Sequence, residues 1–297
     1  MCEHKIKTVV VVGAGAMGQQ IAMNTVLNGR KQALTVYLCD SFPSAIEKAS
    51  AWAKNYLIDR VKKGRLTQEE ADAVASHLTI TEDIDAAAKE ADLIIEAIIE
   101  DLQEKKKLFN RISQLCRPDT ILSTNSSNIV SSKLADAVSH PERLLNLHYF
   151  NPALVMKLVE VVKGPHTSDE TIELAKQFVL DTGKSPIVLK KEIPGFVANR
   201  INAAVVHEAL SLLEQGVASA EDIDTACEKG LNYPMGPFRL MDLTGIDVNY
   251  YVRVDRFAES NDPYDAPHPL VVEKFKKGEF GRKTGKGWYT YPEGGKA

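Results

Sequence analysis

The feature that most constrains the fold is a glycine string, Gly13-Ala14-Gly15-Ala16-Met17-Gly18, set between an apolar run and a helix-like segment. The run from Ile6 to Val12, with Thr8-Val9-Val10-Val11-Val12 at its centre, reads as a buried strand, and Gln19 to Leu27 suits a helix. Val36-Tyr37-Leu38-Cys39 reads as a second strand that ends on Asp40. In such a unit each glycine has its own task. The first permits a tight turn, the second lets main chain approach a pyrophosphate, and the third allows close helix–strand contact. Unpaired N–H groups at the helix start, around Ala16 and Met17, then face the phosphates. An acid roughly 20 residues further on accepts ribose hydroxyls, and Asp40 stands at that distance. No arginine follows it, and its carboxylate would repel a 2′-phosphate, so the expected cofactor is NAD.

The remainder of the first two-thirds repeats strand and helix. Pro43 starts a helix running to about Val61, whose exit carries Lys54, Arg60, Lys62, Lys63 and Arg65. That basic cluster reads either as a solvated face or as a contact for substrate phosphates. Thr67 and Glu70 make a capping box for a short helix to Ser76. Asp92 to Ile98 is a strand, Leu102 to Gln114 a charged helix, and Thr120 to Thr124 a strand running into Asn125-Ser126-Ser127-Asn128. Ligands in open parallel sheets sit beyond the carboxyl ends of strands, so those polar residues stand where chemistry belongs. The pattern predicts an α/β fold, a doubly wound, Rossmann-type, mostly parallel sheet.

Leu144 to His148 and Lys157 to Val162 are two strands joined too briefly for a helical crossover, so they are expected to be antiparallel, which makes neighbours of His148 and Glu160. An edge strand, Ser185 to Leu189, closes the unit. From Gly195 onward only helical periodicity is found, which puts the NAD-binding domain at 1–193 and a smaller all-helical C-terminal domain at 194–297. Asn199 to Glu214 is apolar over much of its circumference and is expected to be buried in a bundle or a subunit interface.

A formal charge of −4 with no basic block argues against a nucleic-acid partner. Cys2, Cys39, Cys116 and Cys227 are scattered, which fits a reducing compartment, and no metal site is expected. No stretch reaches the 18 or more apolar residues needed to span a bilayer. No membrane association is expected, and the chain is expected to be cytoplasmic.

A nicotinamide site needs a group that takes or gives the alcohol proton, and histidine is suited to it. Of seven histidines, His148 alone falls at a strand end on the cofactor side; His4, His77, His140, His166, His207 and His268 fall in termini, loops or helix faces. Glu160 can orient its ring, although an exposed strand residue paired with Lys157 or Lys163 is the alternative reading.

With GAGAMG, IEAIIED, STNSS, LHYFNPALVMKLVEVV, IPGFVANR, YPMGPF and FGRKTGKGWY in this order, nearly the whole chain resembles the 3-hydroxyacyl-CoA dehydrogenases, above all the short single-function 3-hydroxybutyryl-CoA dehydrogenases. The resemblance implies His148 as catalytic base, Glu160 as its orienting acid, Ser127 as the serine that hydrogen-bonds substrate and cofactor, and Asn199 as a substrate contact from the helical domain. It implies Asn151 beside the histidine, Gly13, Gly15, Gly18, Asp40 and Asn125 at the NAD site, and Glu100 and Lys105 flanking the nicotinamide ribose. CoA is expected near Lys62. The implied partners are an acyl-CoA thioester and a second copy of the chain, joined through the C-terminal helices. Ser127 and Asn199 also admit simpler readings, as a helix cap and an ordinary first-turn residue.

The chain departs from the family pattern at Arg30 to Ala33, an apparent surface insertion, at Asn128, where a second serine is usual, and at Tyr149 in place of phenylalanine. The rival readings are a dehydrogenase of free hydroxy acids, of the gulonate dehydrogenase and lambda-crystallin kind, and a non-catalytic crystallin-like protein. The GPF loop, the basic helix and the GRKTGKGWY ending favour the thioester. Fatty-acid oxidation, butanoate fermentation, and polyester or aromatic catabolism are all compatible with the resemblance.

Overall fold

The computed structural model describes residues 6–292, so Cys2, His4 and Lys5 lie outside the described residues. The chain separates into two compact units, Met1–Phe196 and Val197–Ala297.

The first unit is built on one sheet. Its elements are β1 (Thr8–Val12), α1 (Ala16–Asn28), β2 (Thr35–Cys39), α2 (Pro43–Lys62), α3 (Gln68–Ser76), β3 (Leu78–Thr81), α4 (Ile84–Glu90), β4 (Leu93–Glu96), α5 (Leu102–Ser113), β5 (Ile121–Thr124), β6 (Leu144–Tyr149), β7 (Leu158–Val162), α6 (Asp169–Asp181) and β8 (Ser185–Leu189). The eight strands lie in the order β3-β2-β1-β4-β5-β6-β7-β8. Every neighbouring pair is parallel except β6 with β7, which is antiparallel. Central strands are apolar on both faces because both are covered. Val9, Val11, Leu93 and Ile95 join a core with residues of α1, α2 and α6, while Val10, Ile94, Phe109 and Leu122 join a second core on the opposite face.

Local chemistry sets the helix ends. Thr67 and Glu70 close a reciprocal capping box on α3, Asp101 accepts from the Gln103 and Glu104 N–H groups at the start of α5, and Ser168 caps α6. The extra residues after α1 form a short 3-10 turn, Gly29–Gln32. Strand order reverses between β1 and β4, and at such a switch point the loops at the carboxyl ends diverge to leave a crevice.

The second unit is helical: α7 (Ala198–Glu214), α8 (Ala220–Thr225), α9 (Pro237–Thr244), α10 (Ile246–Ser260) and α11 (Pro269–Lys276), around Val206, Leu210, Phe238, Met241, Ile246 and Val271. The bundle accounts for one part of α7. Only Val206, Ala209 and Leu210 are buried, and Ile201 is 61% exposed, because the bundle covers one face of the helix and not its start.

Two buried carboxylates organise this unit. Asp224 accepts from the Phe238 and Arg239 N–H groups, at 2.8 and 3.0 Å, and so caps α9 from a neighbouring helix. Asp242 accepts from the Trp288 and Tyr289 N–H groups, at 2.9 and 3.0 Å, and from the Tyr291 hydroxyl at 2.9 Å. A Cβ on Gly287 would lie 2.1 Å from Asp242 Oδ1, and one on Gly281 would lie 2.3 Å from the Asp242 carbonyl oxygen. Gly281 and Gly287 of the GRKTGKGWY ending, with the main-chain N–H groups of Trp288 and Tyr289, therefore serve to dock it on Asp242. Likewise a Cβ on Gly236 of the GPF loop would lie 2.3 Å from Asp224. Lys283 pairs with Asp247 and Lys286 with Glu279. Both motifs that the sequence reading linked to a thioester have a structural account.

Asp242→Ala would strand three donors at once and should destabilise the second unit by about 3 kcal/mol or more. Urea unfolding read by Trp288 fluorescence in a Trp52→Phe background measures this, and an unchanged midpoint would refute it.

Candidate active site

The glycine turn follows β1 directly. Gly13 has φ 109°, and a Cβ there would stand 2.5 Å from the Ala97 carbonyl oxygen, so the turn and the close approach of β4 both exclude a side chain. A Cβ on Gly18 would stand 1.7 Å from the Gly13 carbonyl oxygen, which ties α1 against the turn. Gly15 differs, because a side chain there would meet nothing within 4 Å. It lines a cavity of about 740 Å3 together with Gly13, Ala16, Met17, Asp40 and Ile99. A bare backbone at a helix N-terminus, opening on a cavity of cofactor size, fits a dinucleotide.

Asp40 binds the turn before it binds anything else. Its Oδ2 accepts from the Ala14 N–H at 2.8 Å and its Oδ1 from the Phe42 N–H at 3.0 Å, so the carboxylate at the end of β2 anchors the glycine loop while lining the cavity. Phe42 and Ile99, both exposed, add apolar walls to the same cavity.

Beyond β4 and β5 lies a polar cluster that the sequence reading resolved only in part. Lys105 is 1% exposed and reaches Glu96 at 2.6 Å and Glu100 at 3.4 Å. Glu96 has no exposure and also accepts from the Thr124 hydroxyl at 2.6 Å and the Ile98 N–H at 2.7 Å. A charge that deep persists only when paired and hydrogen-bonded, and Glu96 meets both conditions. Glu100 accepts from the Ser126 hydroxyl. Ser126 Oγ in turn accepts from the Ile129 N–H at 2.8 Å within the loop, and the 3-10 turn at Ser131–Lys133 follows Val130 with no side-chain cap, so Ser127 does not cap it. Ser127 is half-buried, and its carbonyl accepts from the Gly195 N–H at 2.9 Å.

The antiparallel pairing places His148 directly across from Glu160. Nδ1 of the imidazole lies 2.7 Å from Glu160 Oε2. Glu160 has no exposure, which excludes the reading as an exposed strand residue paired with a lysine; Lys163 binds Asp169 instead. A carboxylate can only accept here, so Nδ1 carries a proton, and in the neutral ring the lone pair is on Nε2. Phe150 and Phe196 pack against the ring, with centroids at 4.5 and 5.4 Å.

Two side-chain amides hold the loop after β5 against β6. Asn125 Oδ1 accepts from the Tyr149 N–H at 2.9 Å. Asn146, fully buried in β6, accepts from the Ser131 N–H at 2.8 Å and donates to the Ser126 and Ile129 carbonyls at 3.2 and 3.0 Å. Asn151 is exposed just past β6, Lys62 is exposed as the last residue of α2, and Asn199 is exposed near the start of α7 in the second unit. Glu96, Ser126, Asn146 and Phe196 were missed. Their signal was a polar residue inside an apolar strand, in LIIE and LLNLHY, and a bulky residue directly after Pro-Gly.

Family models match both units: the 3-hydroxyacyl-CoA dehydrogenase NAD binding domain over residues 8–193 and the 3-hydroxyacyl-CoA dehydrogenase C-terminal domain over residues 195–291. The chain is 36% identical to the mitochondrial hydroxyacyl-coenzyme A dehydrogenase of Sus scrofa, covering 96% of this chain and 91% of that one. It is also 36% identical to the 3-hydroxybutyryl-CoA dehydrogenase of Clostridioides difficile, covering 95% and 98%. Among solved structures, the (S)-3-hydroxybutyryl-CoA dehydrogenase of Ralstonia eutropha superposes with a TM-score of 0.90 at 35% identity, covering 97% of this chain and all of that one.

Tyr149 departs from the family pattern in a way the structure makes testable. Its hydroxyl is buried with no hydrogen-bond partner among the described residues, and burial pushes its pKa well up. Removing an unsatisfied hydroxyl lifts a desolvation penalty, so Tyr149→Phe should stabilise the fold by about 1 kcal/mol. Thermal unfolding measures it, and a lower Tm would contradict the assignment.

Proposed function

The chain belongs to the 3-hydroxyacyl-CoA dehydrogenase family of NAD-dependent oxidoreductases acting on CH–OH groups, and from that premise we propose that it interconverts L-3-hydroxyacyl-CoA and 3-ketoacyl-CoA, with 3-hydroxybutyryl-CoA as the substrate class. The observation that carries this reading is the buried His148–Glu160 pair. With Nδ1–H committed to the carboxylate, Nε2 takes the proton from the 3-hydroxyl group, and Glu160 stabilises the imidazolium that results. NAD, when bound, supplies the acceptor for the hydride leaving C3. In the reverse direction the imidazolium returns the proton to the new alcohol.

Gly13, Gly15, Ala16, Met17, Gly18 and Asp40 hold the dinucleotide in this reading, with Glu100, Lys105 and Asn125 toward its nicotinamide ribose. Ser127, Asn151 and Asn199 orient the substrate's reacting oxygens, a contribution that acts by restricting motion before reaction. Lys62 meets a phosphate of CoA. A second copy of the chain is proposed to pair through the second unit, where Ile201, Leu231 and Tyr251 are each more than half exposed, because apolar surface of that kind marks an association face.

NADH oxidation with acetoacetyl-CoA, run beside free acetoacetate, tests the substrate class: fast turnover of the thioester alone is expected, and turnover of the free acid alone would overturn it. His148→Ala should lower kcat by about 100-fold or more while NADH still binds. Near-normal turnover would remove the imidazole from the mechanism. Light scattering should give twice the 32.7 kDa chain mass, and a single-chain mass would exclude the dimer.

A further inference from the structure

The segment Glu192-Ile193-Pro194-Gly195-Phe196 touches the loop after β5, the strand β7 and the imidazole at once. Glu192 Oε2 accepts from the Ser131 hydroxyl at 3.1 Å and the Ser132 N–H at 3.2 Å. The Gly195 N–H donates to the Ser127 carbonyl at 2.9 Å. Phe196 has no exposure and clusters with Val130, which precedes Ser131, and with Val162, which shares a face of β7 with Glu160. Its ring meets that of His148 at 5.4 Å with the planes tilted by 56°.

The backbone shows that this placement is held against resistance. Gly195 has φ 78° and Phe196 has φ 47°. A left-handed conformation at a bulky residue is uncommon and costs energy, and it persists where surrounding contacts over-determine it. Glycine at 196 would relieve the backbone but would leave no ring against the imidazole.

We propose that this segment is a clasp that holds His148 and the Ser127 loop in one fixed geometry, with Phe196 as a positioning residue for the imidazole. The Glu160 hydrogen bond fixes where Nδ1 points but leaves the ring free to tilt about that contact. Phe150 and Phe196, both packed against the ring, remove the tilt, so the direction in which Nε2 points is set before substrate arrives. The clasp rests on the reaction proposed above for His148. Aim, unlike binding, acts on the chemical step, and small misplacement of a reacting group lowers rate steeply.

Phe196→Leu keeps an apolar side chain and removes the flat ring. It is compared with Phe178→Leu, an equally buried loss in α6 away from His148. Phe196→Leu should lower kcat by about 10- to 100-fold, with KM for acetoacetyl-CoA and NADH binding within about twofold of wild type. The nuclear Overhauser contacts between the His148 ring protons, identified by their loss in His148→Ala, and the retained Phe150 ring should change in Phe196→Leu and stay in place in Phe178→Leu. Wild-type kcat in Phe196→Leu, an equal loss in Phe178→Leu, or unchanged contacts to Phe150 would overturn the clasp. Phe196→Met carries the same comparison should the leucine variant not fold. A wild-type protein that turns over no thioester would sink the proposed function, while the contacts to Phe150 would still decide the clasp.

Discussion

The reversal of strand direction between β6 and β7 is the constraint on which the candidate site depends. Every other pairing in the sheet is parallel, and a parallel neighbour of β6 would have required a long crossover. Folding straight back instead puts Glu160 opposite His148 on adjacent strands. The pair is buried on two inner strands of the sheet, where a carboxylate without a partner would be prohibitively costly. The imidazole thus gives the acid a hydrogen bond and the acid fixes where Nδ1 of the imidazole points.

A second group of buried polar residues does for the neighbouring loops what that pair does for the imidazole. Glu96, Lys105, Thr124, Glu100 and Ser126 form a continuous set of contacts across the ends of β4 and β5. Asn146 and Asn125 then tie the next loop to β6. A loop fixed at so many polar points is restricted before any ligand arrives, which lowers the ordering cost that binding would otherwise incur.

How much of this was legible depended on how local each signal was. The glycine turn was readable because each glycine answers a requirement within its own strand–helix unit: Gly13 at positive φ, Gly18 against Gly13, Gly15 open. The antiparallel pair was readable because the connecting loop is short. Glu96 and Asn146 were not, since a single polar residue in an apolar strand acquires a meaning only through partners distant in sequence, such as Lys105 and Ser131. Ser126 and Ser127 are chemically alike, and only the folded loop tells which one turns inward to Glu100. For α7 the bundle and the interface stayed alternatives because periodicity reports an apolar stripe without reporting what covers it: the bundle covers Val206, Ala209 and Leu210 and leaves Ile201 exposed. The GRKTGKGWY ending was linked to a ligand, and the role of its Gly281 and Gly287 against Asp242 could not be read from the string.

The strand order also bears on how the chain is made. From β5 through β8, each strand lies beside the one that precedes it in sequence. On a ribosome, the sheet can therefore extend outward one strand at a time, with each emerging segment meeting a partner already synthesised. The last to arrive, β8, is an edge strand carrying Pro186, a residue that lacks an N–H and is tolerated in sheets chiefly at such a margin. Growth of the sheet ends on a strand poorly suited to recruit a ninth, from this chain or from another still being translated nearby.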